Sequence, residues 1–122
     1  MSNLVYGSYI DGTDIYLRHG DSFYVALSIV TPDGSPYVPG DGDVLHTQCR
    51  SEDQSQILWD CVIPGDTLEF RIAPENTRDK DCKVKWFYDV QIEFANGDIQ
   101  TVIPKSRVIL LPEITTKNEE TP

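Results

Sequence analysis

Apolar and polar residues alternate with a period of two along most of this chain, which is typical of strands that bury one face. The longest such run is residues 85–94, where every second residue from Trp86 to Phe94 is apolar or aromatic. Residues 22–30 and 67–73 repeat the pattern. No stretch shows the spacing of a long amphipathic helix, so the pattern predicts an all-β domain.

Turn residues fall between the alternating runs. Asn96-Gly97 separates two of them, and this dipeptide predicts a hairpin with a type I′ turn, whose two central residues both need positive φ. Residues 43–50 and 56–63 predict a second hairpin, and residues 31–43, rich in proline and glycine, predict a long irregular connection. Pro74 opens the one stretch, residues 74–78, that predicts a helical turn.

Seven to eight short strands at regular spacing predict an antiparallel β-sandwich, with a small closed barrel as the alternative. We expect an N-terminal arm at residues 1–12, the sandwich domain at 13–112 and a flexible C-terminal tail at 113–122. The inward positions of the runs predict the core: Phe23, Val25, Leu27, Phe70, Ile72, Trp86, Tyr88, Val90 and Ile92.

The net charge of the chain restricts the classes of partner that we expect it to bind. The 122 residues include 20 acidic and 10 basic side chains, a formal net charge of -10, which repels nucleic acid and anionic membrane surfaces. Residues 1–10 lack the basic start and apolar run of a signal peptide, and no apolar stretch is long enough to span a membrane. We therefore expect a soluble protein that is made in the cytosol and binds neither nucleic acid nor membrane.

The sequence contains few residues that could catalyse a reaction or bind a metal ion. Cys49, Cys61 and Cys82 match neither a redox nor a zinc spacing and are expected to be reduced thiols. His19 and His46 are the only histidines, and no G-x-S-x-G motif presents a nucleophile to either. The acidic loop around Asp41 lacks the later ligands of a calcium-binding EF-hand. The sequence thus predicts no enzyme, no cofactor and no metal site.

Three stretches carry a more specific pattern. They are DIYLRHGDSFYVALSIVTPDGSPYVPGDGDVLHTQCR, GDTLEFRIAPENT and WFYDVQIEFANGDIQTVIPKSRVILLPEIT, which together extend over residues 14–115. In this order they resemble the small β-sandwich modules of phage and prophage tails, and are similar to the amino-terminal domain of siphophage upper baseplate proteins. That resemblance implies an immunoglobulin-like sandwich, a virion-associated structural protein made in the bacterial host cytoplasm, and no catalytic residues.

Two functions follow as hypotheses. The first is a tail- or baseplate-type assembly module that binds other phage tail or virion proteins, or copies of itself. The candidate partner-binding residues are Tyr16, Tyr24 and Phe87, since each has the opposite parity to its inward neighbours. The alternative is a carbohydrate- or host-surface-binding domain that uses the loops at residues 31–43 and 51–55.

Overall fold

The computed structural model describes residues 8–112, in which eight strands and one short helix follow one another. The prediction of an all-β domain is confirmed. The elements are β1 (Tyr9–Asp11), β2 (Asp14–Arg18), β3 (Phe23–Ala26), β4 (Val44–Ser51), β5 (Ile57–Ile63), β6 (Glu69–Ile72), α1 (Pro74–Arg78), β7 (Trp86–Glu93) and β8 (Ile99–Leu111).

The strands form two sheets. The larger has the order β1-β2-β8-β7-β4-β5, and the smaller pairs β3 with β6. The expectation of a wholly antiparallel sandwich is wrong at one place, because β2 pairs with β8 in parallel, with Ile15 opposite Val108 and Leu17 opposite Leu110. Parallel neighbours need a long connection, and here nearly the whole domain lies between the two strands. The larger sheet is therefore mixed.

Both predicted hairpins form, although one turn differs from its prediction. β4 and β5 pair directly, and β7 and β8 pair around Asn96-Gly97. Of the two turn residues only Gly97 has positive φ, at 94°. The Gly97 N–H donates to the Phe94 carbonyl and the Phe94 N–H to the Asp98 carbonyl, both at 2.8 Å. These bonds define a three-residue loop that ends in a left-handed glycine, and the type I′ prediction is wrong.

One core lies between the two sheets. Seven of the nine predicted core residues are buried, while Phe23 and Leu27 pack against the core as partly buried residues. β2 and β8 add further buried side chains that the alternation left out of the predicted set. The buried apolar side chains are Ile15, Leu17, Val25, Leu45, Cys49, Leu58, Trp59, Ile63, Phe70, Ile72, Trp86, Tyr88, Val90, Ile92, Val108 and Leu110.

The helix α1 carries the chain from the smaller sheet to the larger one, as predicted for residues 74–78. Pro74 occupies its first turn, where the missing N–H costs nothing. Asn76 fixes the start, because its side-chain oxygen accepts the Ala73 N–H at 2.7 Å and its amide donates to the Leu58 carbonyl at 2.9 Å. Between residues 8 and 112 no helix is long and apolar enough to cross a membrane.

The predicted arm and tail are described only in part. Within residues 1–12, Tyr9–Asp11 form β1, which pairs with β2 at the edge of the larger sheet. Residues 1–7 and the predicted tail at 113–122 lie outside the described residues.

Truncation of a core residue on β2 should show how much this short strand contributes to stability. Ile15 is fully buried, so Ile15→Ala should lower the free energy of unfolding by about 2–5 kcal/mol through lost burial and the cavity left behind. Val62→Ala is the control, because Val62 is 62% exposed on β5 and should cost less than about 1 kcal/mol. Urea unfolding measures both, and equal losses would contradict the burial of Ile15.

Candidate partner-binding surface

The structure divides the three candidate residues between the two sheets. Tyr16 and Phe87 lie on the outward face of the larger sheet, on β2 and β7, and β8 runs between them. Tyr24 lies on β3 in the smaller sheet, on the opposite side of the core. No single surface therefore contains all three residues. Tyr24 is 59% exposed, and the other two are half-buried.

Phe87 has charged neighbours on both adjacent strands. Arg50 of β4 and Arg107 of β8 are its partners in the strand register. The Lys105 ammonium lies 4.5 Å from the centre of its ring, which is the geometry of a cation–π contact. The sequence did not single out these basic residues, because 37 positions separate Arg50 from Phe87 and only strand pairing brings them together. The result is an aromatic ring framed by positive charge in an acidic protein.

A shallow depression of about 200 Å³ opens beside Phe87. We use the name Phe87 patch for five residues that line it on neighbouring strands: Gln48, Arg50, Phe87, Asp89 and Lys105. Gln48 is opposite Asp89, and Arg50 is opposite Phe87 in the register. The patch therefore combines one aromatic ring, two cations, one carboxylate and one amide, and the Glu52 side chain after β4 also lines the depression.

Hydrogen bonds along β4 and β5 hold the polar side of the patch in place. The Arg50 Nε–H donates to the Gln48 side-chain oxygen at 2.8 Å, and the Gln48 amide donates to Asp60 at 2.8 Å. His46 also bonds to Asp60. The donation from Gln48, followed by that from His46, lowers the pKa of Asp60 below its usual value. Each side chain in the row has a partner, so Arg50 is positioned before any ligand arrives.

Tyr16 is less available than Phe87. Its ring stacks on that of Tyr9, with the centroids 4.9 Å apart and the planes 6° from parallel. Such stacking is a favourable aromatic contact and already covers one side of the ring. Next to Tyr16 on β2, the Asp14 carboxylate binds the Arg107 side chain through two N–H groups, at 2.8 and 3.1 Å. Tyr16 thus belongs to the seam that joins β1, β2 and β8.

The residues considered for other chemistry have structural roles. No disulfide joins the three cysteines, and burial raises the pKa of the Cys49 thiol above its ordinary value, so that it stays protonated. Trp86 is buried in the core as predicted, Trp59 is buried there as well, and neither offers a flat ring to a sugar. Throughout residues 8–112, no three His, Cys, Asp or Glu side chains converge in a group that could hold a metal ion.

The acidic loop before β4 bonds with itself. Asp43 accepts the Tyr37 hydroxyl and the Gly40 N–H, both at 2.9 Å. The hydrogen bond from the Gly40 N–H, and then that from the Tyr37 hydroxyl, lower the pKa of Asp43. Burial, and then the hydrogen bond to the Asp43 carboxylate, raise the pKa of Tyr37 to about 12. The carboxylate therefore fixes the loop before the strand begins.

Comparison with known proteins adds no relative. The chain matches no protein-family model, and no curated protein sequence is detectably similar to it.

The ion pair between Asp14 and Arg107 should make stability depend on pH in acid. The hydrogen bonds from the Arg107 side chain and then its backbone N–H lower the pKa of Asp14 below 3.8 in the folded state. The pair therefore stabilises the fold above about pH 4, and this contribution is lost as the pH falls through the lowered value. Asp14→Asn should reduce the loss of stability between about pH 4 and pH 2.

Urea unfolding of both proteins at a series of pH values measures the effect. Asp98→Asn is a matched control that removes one carboxylate from the exposed turn of the hairpin. If the variant Asp14→Asn keeps the acid dependence of the unsubstituted protein, the pair does not contribute to folding.

Proposed function

We propose that this protein is a non-catalytic structural protein of a phage or prophage, of the tail or baseplate type, which works by assembly with other virion proteins or with copies of itself. The resemblance of residues 14–115 to phage tail modules supports the class of protein. The Phe87 patch is the geometric feature that supports a role in assembly. We therefore propose that the protein binds its partners through the outward face of its larger sheet.

We also propose that the fold is immunoglobulin-like. The order β8-β7-β4-β5 in the larger sheet fits the G-F-C-C′ order of a variable-type domain, and the pair β3-β6 fits its B and E strands. The parallel contact of β2 with β8 fits a first strand that lies beside the last. Domains of this architecture offer sheet faces, edges and loops as docking surfaces, which is consistent with assembly.

The Phe87 patch has the composition expected of an interface. Aromatic residues and arginine are enriched at the centres of protein–protein contacts, where a rigid ring buries a large area at low entropic cost. Arg50 and Lys105 next to Phe87 would attract an acidic surface, and the net charge of -10 means that a second copy or another acidic subunit could supply one. The patch therefore favours a partner with exposed carboxylates around a small apolar centre.

The alternative function, binding of carbohydrate or a host surface through loops 31–43 and 51–55, has less support. Asp33 and Asp53 accept hydrogen bonds from groups within their own loops, which holds the pKa of each at about 2. Their carboxylates are therefore engaged in shaping turns. Glycan-array binding that is lost in Asp53→Ala would favour this alternative over assembly.

Truncation of Phe87 tests the assembly function. Phe87→Ser removes the ring from the patch, and loss of a central aromatic typically weakens a protein contact by tenfold or more. The affected contact is either self-association, measured by light scattering after size-exclusion chromatography, or a complex with a purified product of a neighbouring gene. The melting temperature should show that the variant still folds.

Val62→Ser is the matched control, because Val62 is an exposed apolar residue on the same sheet face but outside the patch. It should leave assembly unchanged. A protein that stays monomeric and binds no neighbouring gene product would contradict the proposed function.

A further inference from the structure

A groove of about 810 Å³ runs between the smaller sheet and the first half of β8. One wall is residues 25–32, which continue β3, and the other includes residues 100–103 of β8. Its floor is apolar because the two strands of the smaller sheet leave part of the inner face of the larger sheet uncovered. The large apolar residues that line it are Ile10, Val25, Leu27, Ile29, Val30, Ile92, Phe94, Val102 and Ile103.

Among the described residues, no charged side chain lines this groove. Asp, Glu, Lys and Arg make up 25% of the chain, yet none occurs in residues 22–32 or 99–104, the two segments that form the walls. An occupant with a charged side chain inside the groove would lose hydration and find no partner. The groove therefore fits an uncharged, apolar occupant.

Among the strands of residues 8–112, only β6 pairs with β3, and the other edge of β3 faces the groove. β3 pairs with β6. In the residues that follow β3, the Leu27 N–H donates to the Leu68 carbonyl at 2.8 Å, and the Ile29 carbonyl accepts the Tyr37 N–H at 2.9 Å. Backbone groups of alternate residues in a strand point to opposite sides. Since the odd-numbered residues bond towards β6 and Tyr37, the even-numbered ones point their N–H and C=O groups the other way. These residues are Tyr24, Ala26, Ser28 and Val30.

This edge lacks the usual protection against pairing. Exposed edges commonly carry charge, proline or a bulge, or are very short. β1 has only three residues, β6 carries Glu69 and Arg71 on its exposed positions, and β5 carries Asp60 between exposed Ile57 and Val62 and has a bulge in its pairing with β4. From Tyr24 to Val30 there is no charge, proline or glycine, and Val30 is 63% exposed.

We propose that this edge and groove bind one extended, uncharged segment of another protein chain, with apolar residues at alternate positions. The segment adds to β3 as a third strand of the smaller sheet. Its backbone pairs with the even-numbered residues of the edge, and every second side chain enters the groove. A small apolar molecule would fill the groove but leave the edge unpaired, so a strand satisfies both features. This inference rests on the proposed assembly function, and it names the mode of partner binding.

The test uses the N-acetylated, C-amidated peptide SVTVSIT as the probe. Titrated into the ¹⁵N-labelled full chain, it should shift the amide resonances of Tyr24, Ala26, Ser28 and Val30 and slow their hydrogen exchange. Ser28→Pro removes one outward N–H and blocks pairing at the centre of the edge, so it should weaken binding by about tenfold. Ala26→Pro provides a second, independent variant if Ser28→Pro lowers the melting temperature.

Two controls separate strand addition from simple apolar contact. Ser28→Thr keeps the N–H and should bind as the unsubstituted protein does, and a peptide with glutamate at the three apolar positions should not bind. Absence of binding at about 1 mM peptide, shifts confined to other surfaces, or unchanged affinity in both proline variants would each overturn the inference. Self-association through this edge that the probe cannot displace would identify a second copy as the occupant and would also overturn it.

Failure of this inference can be told apart from failure of the assembly function. If a complex with a neighbouring gene product weakens in Phe87→Ser but not in either proline variant, assembly stands and strand addition at β3 is wrong. If the probe binds the edge while no virion protein does, the proposed function fails.

Discussion

Burial of the inward face of β7 is the constraint on which the rest of the structure depends. Its four inward residues, from Trp86 to Ile92, are all at most 3% exposed. β4 and β8 pair with the two edges of β7, and Phe70 and Ile72 of β6 close the core from the other sheet. Apolar burial at about 25 cal/mol per Å² makes such a strand the most favourable centre for the sheets. The strands farther out are then placed by pairing with these neighbours.

The same alternation that builds the core also builds the Phe87 patch. Successive side chains of a strand point to opposite faces. A shift of one residue in the register of β7 would therefore exchange its buried and its outward-facing side chains. Burial of Trp86 and Tyr88 therefore obliges Phe87 and Asp89 to face outward. The register with β4 then places Arg50 and Gln48 beside them. The core therefore fixes the geometry of the Phe87 patch.

Charge is distributed so that most of the surface resists association. With a net charge of -10, two copies repel each other at long range, and Asp60 of β5 and Glu69 and Arg71 of β6 lie on exposed positions. The edge of β3 and the groove beside it are the uncharged exception within the described part of the chain. The described residues thus include two surfaces of different chemistry, a charged aromatic patch on the larger sheet and a neutral edge on the smaller one.

Local sequence determined most of the strands, the short helix at Pro74 and most of the core, because a period of two and the turn residues act over only a few positions, whereas β1 lies in the predicted N-terminal arm. It also placed Tyr16, Tyr24 and Phe87 off the buried face. Pairing between distant segments decided the rest. The parallel contact of β2 with β8 and the meeting of Phe87 with Arg50 and Lys105 depend on residues far apart in sequence, whose pairing no local pattern encodes. The groove depends on how many strands each sheet contains, and that number is fixed only when the whole chain has packed.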